Sequence, residues 1–302
     1  MDLGLWLQEY PFDSNWLDVP GARMHYVDEG PRDAPIMLMV HGNPTWSFYY
    51  RRLISAFSDT FRCIAPDHIG CGLSTKPQDY SYTLAQRIRD LDTLMASIDS
   101  DAPVTLVIHD WGGAIGMGWA GLNHERVERV VVFNTAAFLS ERIPLSIDMC
   151  RVPGLGEVAV RGFNGFVRVA QVRAIHDSTR MTRAARAGYL APYNSWANRV
   201  AVHEFVRDIP MSPEHPTWHT MKQVEAGLEH FKDTPMLIVW GERDFCFNDS
   251  FRREWRARFP QADIHIMQDA SHYVLEEEHA RIIPWMRAFV GASAPAVAQG
   301  VD

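Results

Sequence analysis

The chain has 302 residues, of which 47% are hydrophobic and 22% are charged. This length and composition suit one globular domain, or one domain that carries an insertion. The formal charge of −8 argues against nucleic acid as a partner, because phosphate backbones are bound by basic surfaces. The N-terminus has no basic region followed by an apolar run, and no apolar run reaches about 18 residues. We therefore expect neither a secretory signal nor a membrane span.

Four cysteines are spread along the chain, at positions 63, 71, 150 and 246. Their spacing matches neither a metal-ligand pattern nor a short disulfide framework. We expect reduced thiols in a cytoplasmic protein, with no metal ion and no other cofactor.

Short apolar runs in the first half predict buried strands at 36–40, 61–65, 104–108 and 130–133. Apolar residues at helical spacing lie between them, at 47–57 and 84–98. Strands separated by helices of this length predict βαβ units and a parallel sheet covered by helices on both faces.

The pattern changes between about 139 and 213, where no strand is apparent and helices are predicted at 156–172 and 196–206. Strands are predicted again at 236–240 and 263–267, followed by a closing helix near 280–290. We therefore predict an α/β core in two parts, 1–139 and 216–290, with a helical cap inserted at 140–215. Residues 291–302 are predicted to form a flexible tail.

The segment Val107-Ile-His-Asp-Trp-Gly-Gly-Ala-Ile-Gly116 takes a predicted strand directly into a predicted helix. Glycines after the turn indicate a nucleophile elbow, which raises one side chain above the sheet. Asp110 stands at the tip, where a serine is usual. An Asp at a strand–helix junction also suits a helix N-cap, and for an isolated junction that interpretation would be preferred.

Two downstream residues favour the catalytic interpretation of Asp110. Asp244 follows a predicted strand, and His272 lies in the loop after the last predicted strand. This gives the order nucleophile, acid, histidine that the triad of this elbow takes along the chain. The sequence therefore predicts the catalytic set Asp110, His272 and Asp244.

The chain resembles the haloalkane dehalogenase and epoxide hydrolase branch of the α/β-hydrolase superfamily, from about residue 15 to 290. The resemblance rests on Asp244, His272 and three motifs: His41-Gly-Asn-Pro-Thr-Trp46, Asp67-His-Ile-Gly-Cys-Gly-Leu-Ser-Thr-Lys-Pro77 and His109-Asp-Trp-Gly112. It implies an α/β-hydrolase fold, with a mostly parallel sheet, helices on both faces and an inserted helical cap.

A carboxylate nucleophile needs no deprotonation at neutral pH and suits displacement at a saturated carbon, which leaves an alkyl ester on Asp110. In a hydrolase, His272 then activates water to attack the ester and Asp244 orients the imidazole. The backbone N–H groups of Asn43 and Trp111 would form the oxyanion hole. The resemblance also implies that Trp111 and Asn43 hold the anionic leaving group.

The leaving group separates the candidate reactions. Epoxide opening requires acid donors, and Tyr189 and Tyr193 in the cap could serve. Epoxide hydrolases of this branch generally have Gly before the His-Asp pair, whereas this chain has Ile108, and the side chain of Asn43 suits an anion better. An epoxide is therefore the least favoured of the candidate substrates.

The position of the acid resembles a third subfamily of dehalogenases. One large subfamily places a Glu after the strand that here ends in Phe133-Asn134-Thr135, and this chain has no carboxylate there. The third subfamily includes the β-lactone decarboxylases of long-chain olefin biosynthesis. The sequence from His109 to Trp119 is more similar to these decarboxylases than to well-known dehalogenases. The resemblance thus favours a cis-3,4-dialkyl β-lactone decarboxylase, with a haloalkane dehalogenase as the alternative.

The predicted cap offers candidates for substrate and partner binding. Phe163, Phe166 and Tyr189 are candidate walls of a pocket for a hydrophobic small molecule, although packing of the cap onto the core explains each of them as well. Five arginines between 168 and 186 form a solvated helix face or a docking surface for partner enzymes of an olefin-forming assembly. A silent binding protein on the same fold is a further alternative, but a complete triad argues against it.

Overall fold

The computed structural model describes residues 3–291. Its strands are β1 Asn15–Val19, β2 Ala22–Glu29, β3 Ile36–Val40, β4 Arg62–Pro66, β5 Val104–Asp110, β6 Val127–Thr135, β7 Met236–Gly241 and β8 Asp263–Met267. They form one eight-stranded sheet in the order β1-β2-β4-β3-β5-β6-β7-β8. Strands β3 to β8 are parallel to one another, and β2 is antiparallel to both β1 and β4. The predicted mostly parallel sheet is confirmed.

The α-helices are α1 Arg51–Phe57, α2 Leu84–Ser97, α3 Trp111–Leu122, α4 Leu145–Asp148, α5 Leu155–Glu157, α6 Gly165–Arg173, α7 Arg183–Leu190, α8 Val200–Arg207, α9 Trp218–Gly227, α10 Asp249–Arg258 and α11 Val274–Gly291. They cover both faces of the sheet. Successive side chains of a strand point to opposite faces, so neighbouring residues of one strand pack against different helices. In β3, Leu38 packs in the cluster that holds α2, α3 and α9, and Met39 packs in the cluster that holds α1 and α11. Within residues 3–291 no helix is both long and apolar enough to cross a membrane.

The central strands carry almost no exposed surface. Every residue of β3, β5 and β7 is buried, as expected for parallel strands between two helical layers. Strand β5 lies between β3 and β6, so its carboxyl end, Asp110, lies at the middle of the sheet edge where ligands bind in open parallel sheets.

Three local predictions need correction. The antiparallel hairpin of β1 and β2 was not predicted. The single helix predicted at 156–172 is broken, because Asn164 adopts a left-handed backbone (φ 53°, ψ 33°) between a short π-helical turn and α6. The closing helix begins at Val274, six residues before the predicted start, and is kinked at Glu278.

Between β6 and β7 the described chain contains helices and loops but no strand. The cap boundaries 140–215 stay a prediction. Of the two flanking core segments, 216–290 contains α9, which packs against α3 of the first segment. The predicted tail, 291–302, lies outside the described residues except for Gly291.

A buried ion pair joins the N-terminal turn, α1 and α11. The guanidinium of Arg51 donates to both carboxylate oxygens of Glu276, at 2.8 and 2.7 Å, and to Glu9 at 2.8 Å. The side chains of Arg51 and Glu276 are only 2% and 1% exposed. Removing one member would therefore leave a buried charge without its partner.

We expect Arg51→Leu to lower the free energy of unfolding by about 3–5 kcal/mol, the usual loss when a buried pair is broken. Chemical denaturation monitored by tryptophan fluorescence measures it. The control is Arg253→Leu, which removes a guanidinium that is 79% exposed and pairs with Asp249; it should cost less than about 1 kcal/mol. Equal effects of the two substitutions would contradict the assignment.

Candidate active site

Asp110 ends β5 in a strained backbone conformation. Its φ of 53° and ψ of −130° lie in a region that costs a non-glycine residue about 1–3 kcal/mol. The turn is also crowded: a Cβ on Gly42 would collide with Asp110 Oδ1, and one on Gly112 would collide with the carbonyl of Val40. Such a turn holds the Asp110 carboxylate above the sheet edge. The side chain makes no capping hydrogen bond to α3, so the N-cap interpretation has no support.

Two groups contact the Asp110 carboxylate, one at each oxygen. The backbone N–H of Asn43 donates to Oδ1 at 2.5 Å, and Nε2 of His272 lies 3.5 Å from Oδ2. The loop after β3 supplies the first group and the loop after β8 supplies the second. Oδ1 is therefore fixed by a backbone donor, while Oδ2 is the oxygen next to the imidazole.

Asp244 follows β7 and is held by four hydrogen bonds. Oδ2 accepts from Nδ1 of His272 at 2.8 Å and from Nδ2 of Asn134 at 2.9 Å. Oδ1 accepts from the backbone N–H groups of Cys246, at 2.6 Å, and Phe247, at 3.1 Å. A fully buried carboxylate with this many donors is compensated for its lost hydration, and it fixes the orientation of the His272 ring.

The imidazole of His272 therefore lies between two carboxylates. Burial opposes a charge on the ring, but the negative charges of Asp244 and Asp110 outweigh it and raise the pKa of His272 from 6.5 to about 10. The ring is therefore an imidazolium at neutral pH. The sequence-predicted residues Asp110, His272 and Asp244 are brought together at one edge of the sheet.

Two further residues position this histidine and were not singled out as site residues from the sequence. Asn134, at the end of β6, binds both Asp244 and the backbone of Gly241 through its amide. The buried ring of His109 contacts the carbonyl oxygen of His272 through Nε2 at 2.9 Å. Burial and the nearby His272 charge lower the pKa of His109 well below its usual value. His109 is neutral and donates this hydrogen bond.

Asn43 and Trp111 are the two predicted donors to the leaving group. One side-chain amide hydrogen of Asn43 is taken by the carbonyl of Val202 in α8, at 3.2 Å, and a primary amide has a second one to offer. Trp111 is half-buried and lines the same cavity as Asn43 and Asp110. The pair can present N–H donors to an anion that departs from a carbon bound at Asp110.

Two cavities reach the nucleophile. The first encloses about 810 Å3, its mouth included, and the second about 660 Å3. Both are lined mainly by apolar side chains, and His272 lines the second. Among the described residues, no group of three or more His, Cys, Asp or Glu side chains is arranged to hold a metal ion. The site suits a hydrophobic small molecule.

The matching family model covers residues 35–279 and describes the α/β-hydrolase fold. The chain belongs to this family. It is 44% identical to the cis-3-alkyl-4-alkyloxetan-2-one decarboxylase of Xanthomonas campestris pv. campestris, over 93% of this chain and 97% of that protein. It is 33% identical to haloalkane dehalogenase 2 of Mycobacterium bovis, over 91% and 94%. The crystal structure of haloalkane dehalogenase DbeA from Bradyrhizobium elkani superposes with a TM-score of 0.82 at 26% identity, over 93% of this chain and 100% of that chain.

Of the three cap residues predicted as pocket walls in this α/β-hydrolase, one lines the cavities. Phe166 lines both cavities. Phe163 does not, and the prediction of it as a wall is wrong: its side chain is 73% exposed, because the break at Asn164 separates it from α6. Tyr189 is buried but lies behind the pocket, where its ring stacks on Tyr273 and its hydroxyl donates to Glu276 at 3.0 Å.

The tyrosines considered for epoxide opening have other partners. The hydroxyl of Tyr189 is bound to Glu276, and that of Tyr193 donates to the carbonyl of Thr45 at 3.3 Å. Neither ring lines either cavity. The cap therefore presents neither of these acid donors to a substrate at Asp110, and the epoxide alternative loses its support.

We expect Asp110→Asn to lower the pKa of His272, because it removes one of the two carboxylates that hold the proton. Titration of the His272 ring by NMR measures the shift. The control is Asp263→Asn, which removes the exposed partner of His265 and should leave His272 unchanged. An unchanged pKa in Asp110→Asn would contradict the arrangement.

The sign of the pH effect follows from the same pKa. Because the folded-state value of about 10 exceeds the ordinary 6.5, the charged ring stabilises the fold fully below pH 6.5, and this stabilisation is lost as the pH rises through 10. The loss should be smaller in Asp110→Asn.

Proposed function

We propose that this enzyme converts cis-3,4-dialkyl β-lactones (oxetan-2-ones) into cis-alkenes and CO2 through an alkyl ester of Asp110. The observation that carries the proposal is a carboxylate nucleophile, Asp110, at the meeting point of two apolar cavities and beside the anion donors Asn43 and Trp111. The name of the more similar group of relatives supports the choice of a lactone.

In the first step Oδ2 of Asp110 attacks ring carbon C4 of the lactone. The new bond joins Oδ2 to C4, and the bond between C4 and the ring oxygen breaks. Its electron pair goes to that oxygen, which becomes part of a free carboxylate on C3. Asn43 and Trp111, which line the same cavity as Asp110, would donate hydrogen bonds to this carboxylate. Because Oδ1 is already bound to the Asn43 N–H, it becomes the carbonyl oxygen of the ester.

In the second step the bond between C3 and the carboxylate breaks. Its electron pair forms the double bond between C3 and C4, and the bond from C4 to Oδ2 breaks, so that CO2 and the alkene leave and the Asp110 carboxylate is restored. Attack from the face opposite the ring oxygen leaves the C3–carboxylate bond and the C4–Oδ2 bond antiperiplanar. Elimination from that arrangement, without rotation about C3–C4, gives a cis-alkene from a cis-lactone.

His272 keeps its proton through this cycle. The ring is cationic at rest, and no step of the decarboxylation takes up or releases a proton. When the ester forms, Asp110 loses its charge and the pair of His272 and Asp244 remains. When the C4–Oδ2 bond breaks, negative charge returns to Oδ2 next to the imidazolium, which stabilises the departing carboxylate. His272 thus acts as a fixed positive charge.

Hydrolysis of an alkyl halide is the second candidate, and the Asn43 and Trp111 pair beside Asp110 favours it equally. Its first step is the same displacement, with halide as the leaving group. Its second step differs, because water must attack the ester and His272 must accept a proton. Esterification of Asp110 removes one of the charges that raise the pKa of His272, so the ring could become a base only at that stage.

The proposal extends to the setting of the reaction. A dialkyl lactone is poorly soluble, so we place the enzyme beside partner enzymes of an olefin-forming assembly. Two of the five arginines between 168 and 186 also make contacts within the chain: Arg180 pairs with Glu278, and Arg186 donates to the carbonyl of Gln171. Four free cysteines support a cytoplasmic location.

We expect the enzyme to release alkene and CO2 from a cis-lactone with two long alkyl chains faster than it releases bromide from 1-bromobutane. Asp110→Ala should lower alkene formation by at least about a thousandfold, the scale of loss when a nucleophile is removed. Gas chromatography measures the alkene. The control Asp101→Asn changes an exposed carboxylate and should not alter the rate. Unchanged turnover in Asp110→Ala would refute the covalent mechanism, and faster bromide release would favour the dehalogenase.

A further inference from the structure

We propose that the two cavities at Asp110 are two arms of one substrate site, and that each arm binds one of the two alkyl chains. This inference rests on the proposed function. We name the cavity of about 810 Å3 the core arm and the one of about 660 Å3 the cap arm.

The two arms meet at the nucleophile. The residues that line both are Asn43, Asp110, Ile147, Phe166 and Cys246. Asp110 and Asn43 carry out the chemistry in the proposed mechanism, and the other three are half-buried or buried side chains of low polarity. The reacting carbon is therefore bound at a junction, from which a chain can extend in either of two directions.

Apart from the five shared residues, the two arms are lined by different side chains. The walls of the core arm include Ala114 of α3, Met221 of α9 and Ile143 of the segment after β6. The cap arm runs beneath α6, along Ala170 and Ala174, towards Tyr273. None of these six side chains lines both arms, so each arm can be narrowed without touching the other.

A β-lactone matches this shape. Its two chains leave from neighbouring carbons, C3 and C4, on the same face of the ring, and they diverge from there. Asp110 attacks C4, so the ring must lie at the junction and the two chains must extend away from it. A substrate with one chain would leave one arm without a chain. The walls of the two arms would then set the two chain lengths independently.

The test uses two cis-lactones that are regioisomers, one with methyl on C3 and a long chain on C4 and the other with these groups exchanged. Both give the same cis-alkene, so one assay measures both. Ile143→Trp narrows the core arm and Ala170→Phe narrows the cap arm. Ile143 and Ala170 are half-buried, which leaves room for larger side chains. The readout is the ratio of kcat/KM for the two regioisomers.

We expect the two variants to shift this ratio in opposite directions, each by at least about tenfold, because extra bulk in a filled pocket is strongly unfavourable. Partial unfolding lowers both rates alike and leaves the ratio unchanged. The controls Leu145→Trp and Val172→Phe add bulk at side chains that are 74% and 71% exposed and should keep the wild-type ratio.

Shifts in the same direction, or no shift, with alkene still formed, would overturn the two-arm assignment and leave the proposed function standing. If the wild-type enzyme forms no alkene from either lactone, the proposed function fails and the assignment fails with it.

Discussion

The imidazolium of His272 is buried between Asp110 and Asp244, and most of the site is arranged around this charge. A buried cation is costly unless it is paired and hydrogen-bonded. Here the two carboxylates that pair with it also accept hydrogen bonds from other groups. Asp244 accepts four hydrogen bonds and Asp110 accepts one from Asn43. These groups follow different parallel strands. They meet because the carboxyl ends of such strands lie at one edge of the sheet.

The same constraint explains the crowding at the elbow. Asp110 contacts both the Asn43 N–H and His272 from a strained backbone conformation. The neighbouring Gly42 and Gly112, which have no side chains, leave the space for it. A carboxylate in this position is charged, directed and ready to attack without a base. The arms have mainly apolar walls, and such surroundings strengthen the charge interactions at the junction. The chemistry therefore follows from where a single carboxylate is held.

Much of this could be predicted from the sequence, because the signals were local. Apolar runs identified six of the strands, and the order of Asp110, Asp244 and His272 identified the triad. Asn134 carried no such signal: an amide after a strand has many roles, and its contact with Asp244 joins residues 110 positions apart. The one available clue was the resemblance, which implies a Glu after this strand in one subfamily of dehalogenases.

The errors in the cap have a common physical cause. A continuous helix at 156–172 would have kept Phe163 and Phe166 close to one face. The left-handed backbone of Asn164 interrupts the helix between them, so the side chain of Phe163 is exposed to solvent and that of Phe166 lines the arms. Tyr189 was misjudged because its partner, Glu276, lies 87 residues further along the chain. The β1–β2 hairpin was missed because its first strand has only one buried residue among five and lacks an apolar run.

The central claim is that the ester on Asp110 is resolved by loss of CO2 and not by water. The most direct measurement is multiple turnover of a cis-dialkyl β-lactone in water enriched in the heavy oxygen isotope, followed by mass spectrometry of the peptide that contains Asp110. Decarboxylation restores the original carboxylate oxygens, so the account predicts a peptide of unchanged mass together with alkene. Heavy oxygen in Asp110 would mean that water attacked the ester, and it would contradict the account.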